Sequence, residues 1–196
     1  PTSYMAIQSN YDFVGGYNEE SNMGLLHIAN HHISPGKKQW TWGNGDFGHA
    51  WDRNLTDENG PYVELMCGVY TDNQPDFSWI QPYEERNFTQ YFMPYQKAGL
   101  VKNATKEALL NVMVEDGKMT LVVYATGAFP NCKITLSAGS NQLLQEEVDI
   151  CPQNPYTRTI DFTEKPESIM AEVCNAEGQI LVNYVQKSYQ DKPIPE

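Results

Sequence analysis

From Ala108 to Gln186 the sequence alternates apolar and polar residues in short runs that are separated by turn signals. The run "LLNVMV" leads through "EDGK" into "MTLVVYA", and "CKITLSA" leads through "GSN" into "QLLQEEVDI". The runs "TRTIDF", "SIMAEVC" and "ILVNYV" follow. Alternation with a period of two places successive side chains on opposite faces of a strand, which a helix of 3.6 residues per turn cannot do. We therefore predict about seven strands in this part.

The sequence before residue 105 has a different character, because it holds all four tryptophans and all four histidines. Strands are suggested at "YMAIQS", "MGLLHIA", "QWTWG", "YVELMCGVY" and "NFTQYFMPYQ", with long polar loops between them and no convincing helical period. We predict an all-β chain with a β-sandwich portion at 1–104, a small immunoglobulin-like β-sandwich at 105–187 and a linker or tail at 188–196.

Charge and hydropathy exclude several classes of partner. A formal net charge of -12 disfavours nucleic acid and anionic membranes, because phosphate binding requires a basic patch. No apolar run approaches the roughly 18 residues that a membrane span needs, so we predict no membrane insertion. The four cysteines are too scattered for a close-spaced zinc site, and we predict no cofactor and no metal.

The segment "GPYVELMCGVY" at residues 60–70 has two faces. Its odd-numbered apolar residues, from Val63 to Val69, share one face, which we expect to be core. Glu64 lies on the other face, between Tyr62 and Met66. A lone carboxylate among aromatic and thioether groups is costly to desolvate, so Glu64 is a candidate functional residue.

The stretch "SPGKKQWTWGNGDFGHAWDRNLTD" at residues 34–57 combines aromatic residues with amides, acids and bases. A pyranose ring stacks its C–H face on an indole, and its hydroxyls need paired donors and acceptors. The sequence also allows the alternative that these tryptophans are ordinary core residues. As substrate-binding candidates we take Lys37, Lys38, Trp40, Trp42, Asn44, Asp52, Arg53 and Asp57.

Three histidines precede this stretch. His27 and His31 have a spacing that would suit metal ligands on a helix, but the segment alternates as a strand and ends at a Ser-Pro-Gly turn. The two rings need not share a face. We therefore take His31 and His32 as further substrate-binding candidates and predict that at least one of them makes hydrogen bonds at the rim of the pocket.

The stretch "YVELMCGVYTDNQPDFSWIQPYEERNFTQYFMP" resembles the C-terminal signature of galactose mutarotases. In that family a strand presents a catalytic glutamate, a loop with an Asn-Gln-Pro-x-Phe run follows, and a proline-initiated turn leads into a long strand. Glu64 takes the place of the glutamate, residues 72–77 that of the loop and Gln81-Pro82 that of the turn. The resemblance implies the C-terminal part of a mutarotase-like β-supersandwich, with Glu64 as its catalytic residue.

A second resemblance covers His27 to Pro94 and is carried by "SPGKKQWTWGNGDFG" and "WDRNLTDENGPYVEL". These runs resemble a bacterial family of uncharacterised proteins whose mutarotase-like domain precedes tetratricopeptide-type helical repeats. A complete mutarotase-like domain is longer than residues 1–104, so this part is expected to be completed by a longer protein or by a second copy of itself. The implied partners are a carbohydrate and a helical-repeat domain, and the implied location is periplasmic or secreted in a bacterium.

These observations leave three functions open. The first is a carbohydrate-binding domain of a larger carbohydrate-active protein, with a pocket built around Glu64, Trp40 and Trp42. The second is the catalytic part of an aldose 1-epimerase or glycoside hydrolase, with Glu64 as base or acid. The third is a structural or protein-interaction module. The sequence does not decide whether the chain is an enzyme.

Overall fold

A computed structural model of the chain describes residues 2–6, 9–56, 58–70, 77–163 and 168–186. Its regular structure is nearly all β, as predicted, with one short helix among the described residues. The elements of the N-terminal part are β1 (Thr2–Met5), β2 (Phe13–Asn18), β3 (Met23–Ile28), β4 (Lys38–Thr41), α1 (Asp46–Leu55), β5 (Val63–Met66) and β6 (Tyr91–Gln96). They form two three-stranded sheets, with the strand orders β1-β4-β5 and β2-β3-β6.

The C-terminal part contains the strands predicted from the alternation. They are β7 (Asn103–Ala104), β8 (Ala108–Glu115), β9 (Lys118–Ala125), β10 (Phe129–Ala138), β11 (Asn141–Ile150), β12 (Tyr156–Asp161), β13 (Ile169–Cys174) and β14 (Ile180–Val185). Each of the seven predicted runs overlaps one of the strands β8 to β14, and the short β7 is additional among the described residues. The strands form two four-stranded sheets with the orders β11-β10-β13-β14 and β12-β9-β8-β7.

The apolar faces of these two sheets form one core. Leu121 and Val123 of β9 are 0% exposed, and so are Ile134 of β10 and Val173 of β13. Each fully buried side chain of this size contributes about 1.5–3 kcal/mol to folding. The C-terminal part is therefore a β-sandwich with a continuous core supplied by its own strands.

The chain divides into two compact units. One comprises Pro1–Gly16 with Leu25–Met93, and the other comprises Tyr17–Gly24 with Pro94–Glu196. The domain boundary at residues 104/105 stays a prediction. Within the described ranges no helix is both long and apolar enough to cross a membrane.

The structure differs from the sequence-based expectations at β5. We expected Val63 and Leu65 to face a core, but their side chains are 49% and 41% exposed. Alternation correctly placed the two residues on one face of the strand. That expectation of burial is wrong, because within the described residues this face is left largely open.

The helix α1 is a second difference, since the sequence showed no convincing helical period. Phe47, Ala50, Trp51 and Leu55 are spaced i, i+3, i+4 and i+8, which is the apolar stripe of a helix. Gly48 weakened the helical signal in the sequence, because glycine disfavours helix interiors, whereas Gly45 lies at the N-cap. Gly48 is required by packing, since a Cβ there would lie 2.2 Å from the carbonyl oxygen of Gly43.

Candidate functional site

Glu64 and Trp40 are directly opposite each other in the sheet β1-β4-β5. Strands β4 and β5 pair antiparallel with Trp40 opposite Glu64 and Lys38 opposite Met66. Directly opposed residues share a face, with Cβ atoms about 4.5–5.5 Å apart. The register therefore puts Glu64 and Trp40 side by side on one face of the sheet.

The chain between β4 and β5 brings more aromatic rings to this face. Gly43 has a φ of 83°, a left-handed conformation that suits glycine, and it turns the chain from β4 towards α1. Asp46 lies in the first turn of α1, where its charge complements the helix dipole. The turn and the helix together bring the aromatic side chains of α1 back over Trp42 of the loop.

We call the resulting group of rings the aromatic cluster: Trp40, Trp42, Phe47, Trp51 and Tyr62. The ring centroids of Trp40 and Trp42 are 4.5 Å apart and edge-to-face, and Trp42 stacks on Trp51 at 4.7 Å with an interplanar angle of 8°. Trp40 also contacts Tyr62, at 6.4 Å. Phe47 and Trp51 remain 59% and 39% exposed, so the cluster offers aromatic surface to solvent.

Tyr62 connects the helix to Glu64. Its backbone N–H donates to Asp52 Oδ1 of α1 at 2.9 Å, and its hydroxyl donates to Glu64 Oε1 at 3.0 Å. The hydrogen bond to Glu64 raises the pKa of the Tyr62 hydroxyl, and burial and the carboxylate charge add to this effect. Asp52 is only 8% exposed, so its role is to fix the start of β5 and thereby the geometry of the Tyr62–Glu64 pair.

The remaining candidates from the loop and helix lie at different positions. Lys38 is in β4, two residues before Trp40 and on the same face of the sheet. Asn44 is exposed in the turn before α1, and Arg53 is exposed in its last turn, where a positive charge complements the helix dipole. Asp57 lies outside the described residues.

Lys37 has an interior position. It is 3% exposed, and its Nζ donates to the carbonyl oxygen of Tyr11 and to Ser9 Oγ, the latter at 3.3 Å. Burial lowers the pKa of this ammonium group, and the negative charge of Asp12 partly offsets the effect. The buried Lys37 ammonium therefore holds the loop at residues 9–11 through these two hydrogen bonds. None of these partners is a neighbour of Glu64 in the sheet.

His31 and His32 contact Asp12 and each other. His31 Nδ1 lies 2.6 Å from Asp12 Oδ1, and the His31 backbone N–H donates to the same oxygen at 2.8 Å. Burial alone would raise the pKa of Asp12, but the two hydrogen bonds and the charges of His31 and Lys37 lower it overall. The His32 ring packs on His31 with centroids 3.9 Å apart. His32 also lines a groove of about 500 Å³ together with Ile33, Val69, Glu84, Glu85, Arg86 and Asn87.

His27 is the buried histidine of the N-terminal part. Its side chain is 5% exposed, and neither ring nitrogen has a hydrogen-bond partner among the described residues. Burial, and next to it the charge of Lys37, lowers the pKa of His27 and favours the neutral ring. No group of three His, Cys, Asp or Glu side chains within the described part of the chain could hold a metal ion.

Sequence reasoning found Glu64, Trp40 and Trp42 but did not select Tyr62, Phe47, Trp51 or Asp12. Tyr62 could have been found, because it lies two residues before Glu64 and so shares its face of β5. Phe47 and Trp51 could have been found from their i, i+4 spacing once α1 was recognised. No sequence signal indicates Asp12, which meets His31 across 19 positions.

The family comparisons cover most of the chain. Residues 1–98, half of the 196-residue chain, match the model of a family described as a domain of unknown function (DUF5107). Residues 103–184 match the model described as the second domain of YphG-like proteins. No solved structure matches the chain.

Proposed function

We propose that this chain, which belongs to the DUF5107 family, binds carbohydrate through the aromatic cluster and the carboxylate of Glu64. The observation that carries the proposal is the direct pairing of Glu64 with Trp40 on the face of the sheet that also holds Tyr62. An aromatic ring beside an oriented carboxylate offers a sugar both an apolar surface and a hydroxyl acceptor. The resemblance of residues 62–94 to galactose mutarotases, which act on a sugar, is a second reason for proposing a carbohydrate ligand.

The geometry supports a binding site more than a plain structural cluster. Stacking of Trp51 on Trp42 does attach α1 to the sheet. Attachment of α1 to the sheet does not require a carboxylate beside Trp40. It also does not require that the Tyr62 hydroxyl donate a hydrogen bond to that carboxylate. Held by the Asp52 contact and by this hydrogen bond, the Tyr62–Glu64 pair is preorganised, which reduces the entropy lost when a ligand binds.

An enzyme is the second candidate, and the Tyr62–Glu64 contact is the observation that favours it. A carboxylate next to a hydroxyl can take and return protons, as sugar ring opening and closing in an aldose 1-epimerase requires. Glycoside hydrolysis is less well supported, because it uses two carboxylates about 5–10 Å apart. Asp52, a nearby second carboxylate, is buried and already accepts the Tyr62 N–H.

The test of sugar binding uses the tryptophan fluorescence of the full chain during titration with mono- and oligosaccharides. Glu64→Gln should weaken binding by about 1.5–3 kcal/mol, the usual worth of a hydrogen bond to a charged group. It should leave the melting temperature almost unchanged, because the amide is nearly isosteric. Glu58→Gln, an exposed glutamate in the loop before β5, is the matched control and should bind as the wild type does.

The other outcomes separate the three candidates. Anomer equilibration that is followed by polarimetry, and is lost in Glu64→Gln, would establish an epimerase. A fall in melting temperature with sugar binding intact would assign Glu64 a structural role. No fluorescence change with any sugar would refute the carbohydrate proposal and favour an interaction module.

A further inference from the structure

A cleft on the outer face of the sandwich has no role in the site described above. It has a volume of about 640 Å³ and lies over the sheet β11-β10-β13-β14. Cys132 and Ile134 of β10 are 0% exposed and point into the core, so the alternate residues Lys133 and Thr135 point into the cleft. The cleft is therefore built on strands β10, β11 and β13, with the turn after β13 at one end.

The strand register defines the polar floor of this cleft. Lys133 is directly opposite Glu147 of β11 on one side and Cys174 of β13 on the other. Thr135 is directly opposite Glu172 of β13. Opposed residues have Cβ atoms about 4.5–5.5 Å apart, so the Lys133 ammonium and the Thr135 hydroxyl lie between two carboxylates that are two strands, or about 10 Å, apart.

A tight turn closes one end of the cleft. The Asn175 backbone N–H donates to the Gln179 carbonyl oxygen at 2.9 Å, and the Gln179 N–H donates back to Asn175 Oδ1 at 2.8 Å. Gly178 has a φ of 79°, which glycine adopts without strain. Asn175 and Gly178 both line the cleft, so this wall is preorganised as well.

The chemistry of the lining selects the class of ligand. Two carboxylates beside one ammonium, in a chain of net charge -12, disfavour an anion. The central Lys133 disfavours a cation, and the polar walls disfavour an apolar ligand. Hydroxyl groups suit the set, because each can donate to Glu147 or Glu172 and accept from Lys133.

We propose that this cleft is a second binding site, which takes a neutral oligosaccharide through Lys133, Glu147 and Glu172. The site is independent of Glu64 and the aromatic cluster. The described residues that line it include no aromatic side chain, so its ligand is recognised through hydroxyl groups rather than by ring stacking.

Cys174 provides a local reporter for the cleft. It is a free, half-buried thiol in the lining, and its Sγ donates to Glu172 Oε1 at 3.6 Å. Burial, followed by the charge and hydrogen bond of Glu172, raises the pKa of Cys174, so alkylation is slow and must be compared at one fixed pH. A ligand in the cleft covers this sulfur, and peptide mass mapping separates it from the other three cysteines.

The experiment measures the rate at which iodoacetamide alkylates Cys174 in the full chain, with and without maltohexaose, cellohexaose, xylohexaose or chitohexaose. At least one neutral oligosaccharide should slow the reaction saturably, by about tenfold at ten times its dissociation constant, because only the free protein reacts. Protection by a heparin hexasaccharide alone would overturn the neutral class, and no protection by any of the four neutral sugars would overturn the site.

Variants decide whether the protection comes from the cleft. For each variant the alkylation rate without sugar is divided by the rate with sugar, so that any direct effect of the substitution on thiol reactivity cancels. This ratio should fall to about one in Lys133→Ala and in Glu172→Gln. Lys118→Ala and Glu115→Gln, an opposed pair at the β8–β9 end of the other sheet, are the matched controls and should retain it. Glu64→Gln should also retain it, so the two proposals fail separately. Protection that survives Lys133→Ala and Glu172→Gln would contradict the proposal.

Discussion

The sandwich and the sheet β1-β4-β5 have the same kind of alternating sequence but different burial. Leu121 and Ile134 of the sandwich are 0% exposed, whereas Val63 and Leu65 of β5 are 49% and 41% exposed. In the sandwich a second sheet covers the apolar face. Alternation thus tells which residues share a face, but whether that face is buried depends on a second layer that the strand itself does not encode.

The opposite face of the sheet β1-β4-β5 extends the comparison. There α1 covers the strands only partly, and the aromatic cluster and Glu64 remain accessible. Loosely covered, mixed surfaces are where binding groups can reach a ligand, whereas a closed core is devoted to stability. The partly covered sheet thus carries Glu64 and the aromatic cluster, whereas the second proposed site lies on the outer face of the sandwich and not in its core.

The largest expected effect comes from opening the sandwich core. Leu121→Ala should lower the free energy of unfolding by about 2–5 kcal/mol, because it removes a buried side chain and leaves a cavity. Leu65→Ala, at the half-open face of β5, should cost about 1 kcal/mol, because Leu65 is 41% exposed and gains only part of the transfer free energy of a fully buried leucine. Urea unfolding measures both changes.

Two signals separate the regions in that measurement. All four tryptophans precede residue 105, so their fluorescence reports the N-terminal part, while far-UV circular dichroism is dominated by the sandwich strands. A loss of several kcal/mol in Leu65→Ala would show that the face of Val63 and Leu65 is buried in solution, for example by self-association. The comparison between the two regions would then fail.

A smaller effect is expected where the N-terminal part is closely packed. A Cβ on Gly36 would lie 1.9 Å from the backbone oxygen of Tyr70, and the Gly36 N–H donates to the Gly68 oxygen at 2.9 Å. Gly36→Ala should therefore cost about 1–3 kcal/mol through overpacking. Thermal unfolding followed by tryptophan fluorescence measures it.

Gly45→Ala is the control for that substitution. A Cβ on Gly45 would meet no atom within 4 Å, and its φ of -92° suits any residue. It should shift the transition less than Gly36→Ala does, because its only expected cost is that alanine is a poorer N-cap of α1 than glycine. Equal shifts would mean that the close approach between Gly36 and Tyr70 does not persist in solution.

The sandwich could be predicted almost completely from the sequence, whereas the N-terminal part could not. Most of the runs that became β8 to β14, such as those of β9, β10 and β13, carry apolar residues at every second position, so local propensity and tertiary burial agree there. In β2 the run "FVGGYN" does not alternate, because Gly15 is imposed by packing: a Cβ there would lie 2.4 Å from the Leu25 carbonyl oxygen. Such constraints come from a neighbour distant in sequence, so no local pattern contains them.

The candidate site also has a part that could be predicted from the sequence and a part that could not. The opposition of Glu64 and Trp40 follows from two predicted strands, although the sequence alone could not fix their register. Burial of Lys37 beneath the loop at residues 9–11 depends on a contact across 26 positions. A lysine in a polar, glycine-rich stretch normally indicates a solvated side chain, and here the tertiary fold overrides that expectation.

The smallest expected effect concerns the Asp12–His31 contact. Because the pKa of Asp12 is lowered in the folded chain, its carboxylate stabilises the fold above the unfolded value, which is about 4. This contribution is lost as the pH falls through the lowered folded value. The Asp12 side chain is 49% exposed, so solvent screening limits the effect to about 0.2–1 kcal/mol.

Asp12→Asn tests this contribution, with urea unfolding followed by tryptophan fluorescence at neutral pH and near the acid limit of the fold. At neutral pH the variant should be less stable than the wild type by that amount, because the amide cannot supply the negative charge that His31 meets. The difference should shrink towards zero below about pH 3, where the wild-type carboxyl also becomes neutral. A difference that is the same at both pH values would assign the effect to hydrogen-bond geometry rather than to charge. In that case the Asp12–His31 contact would be a neutral hydrogen bond that fixes the loop ahead of β4.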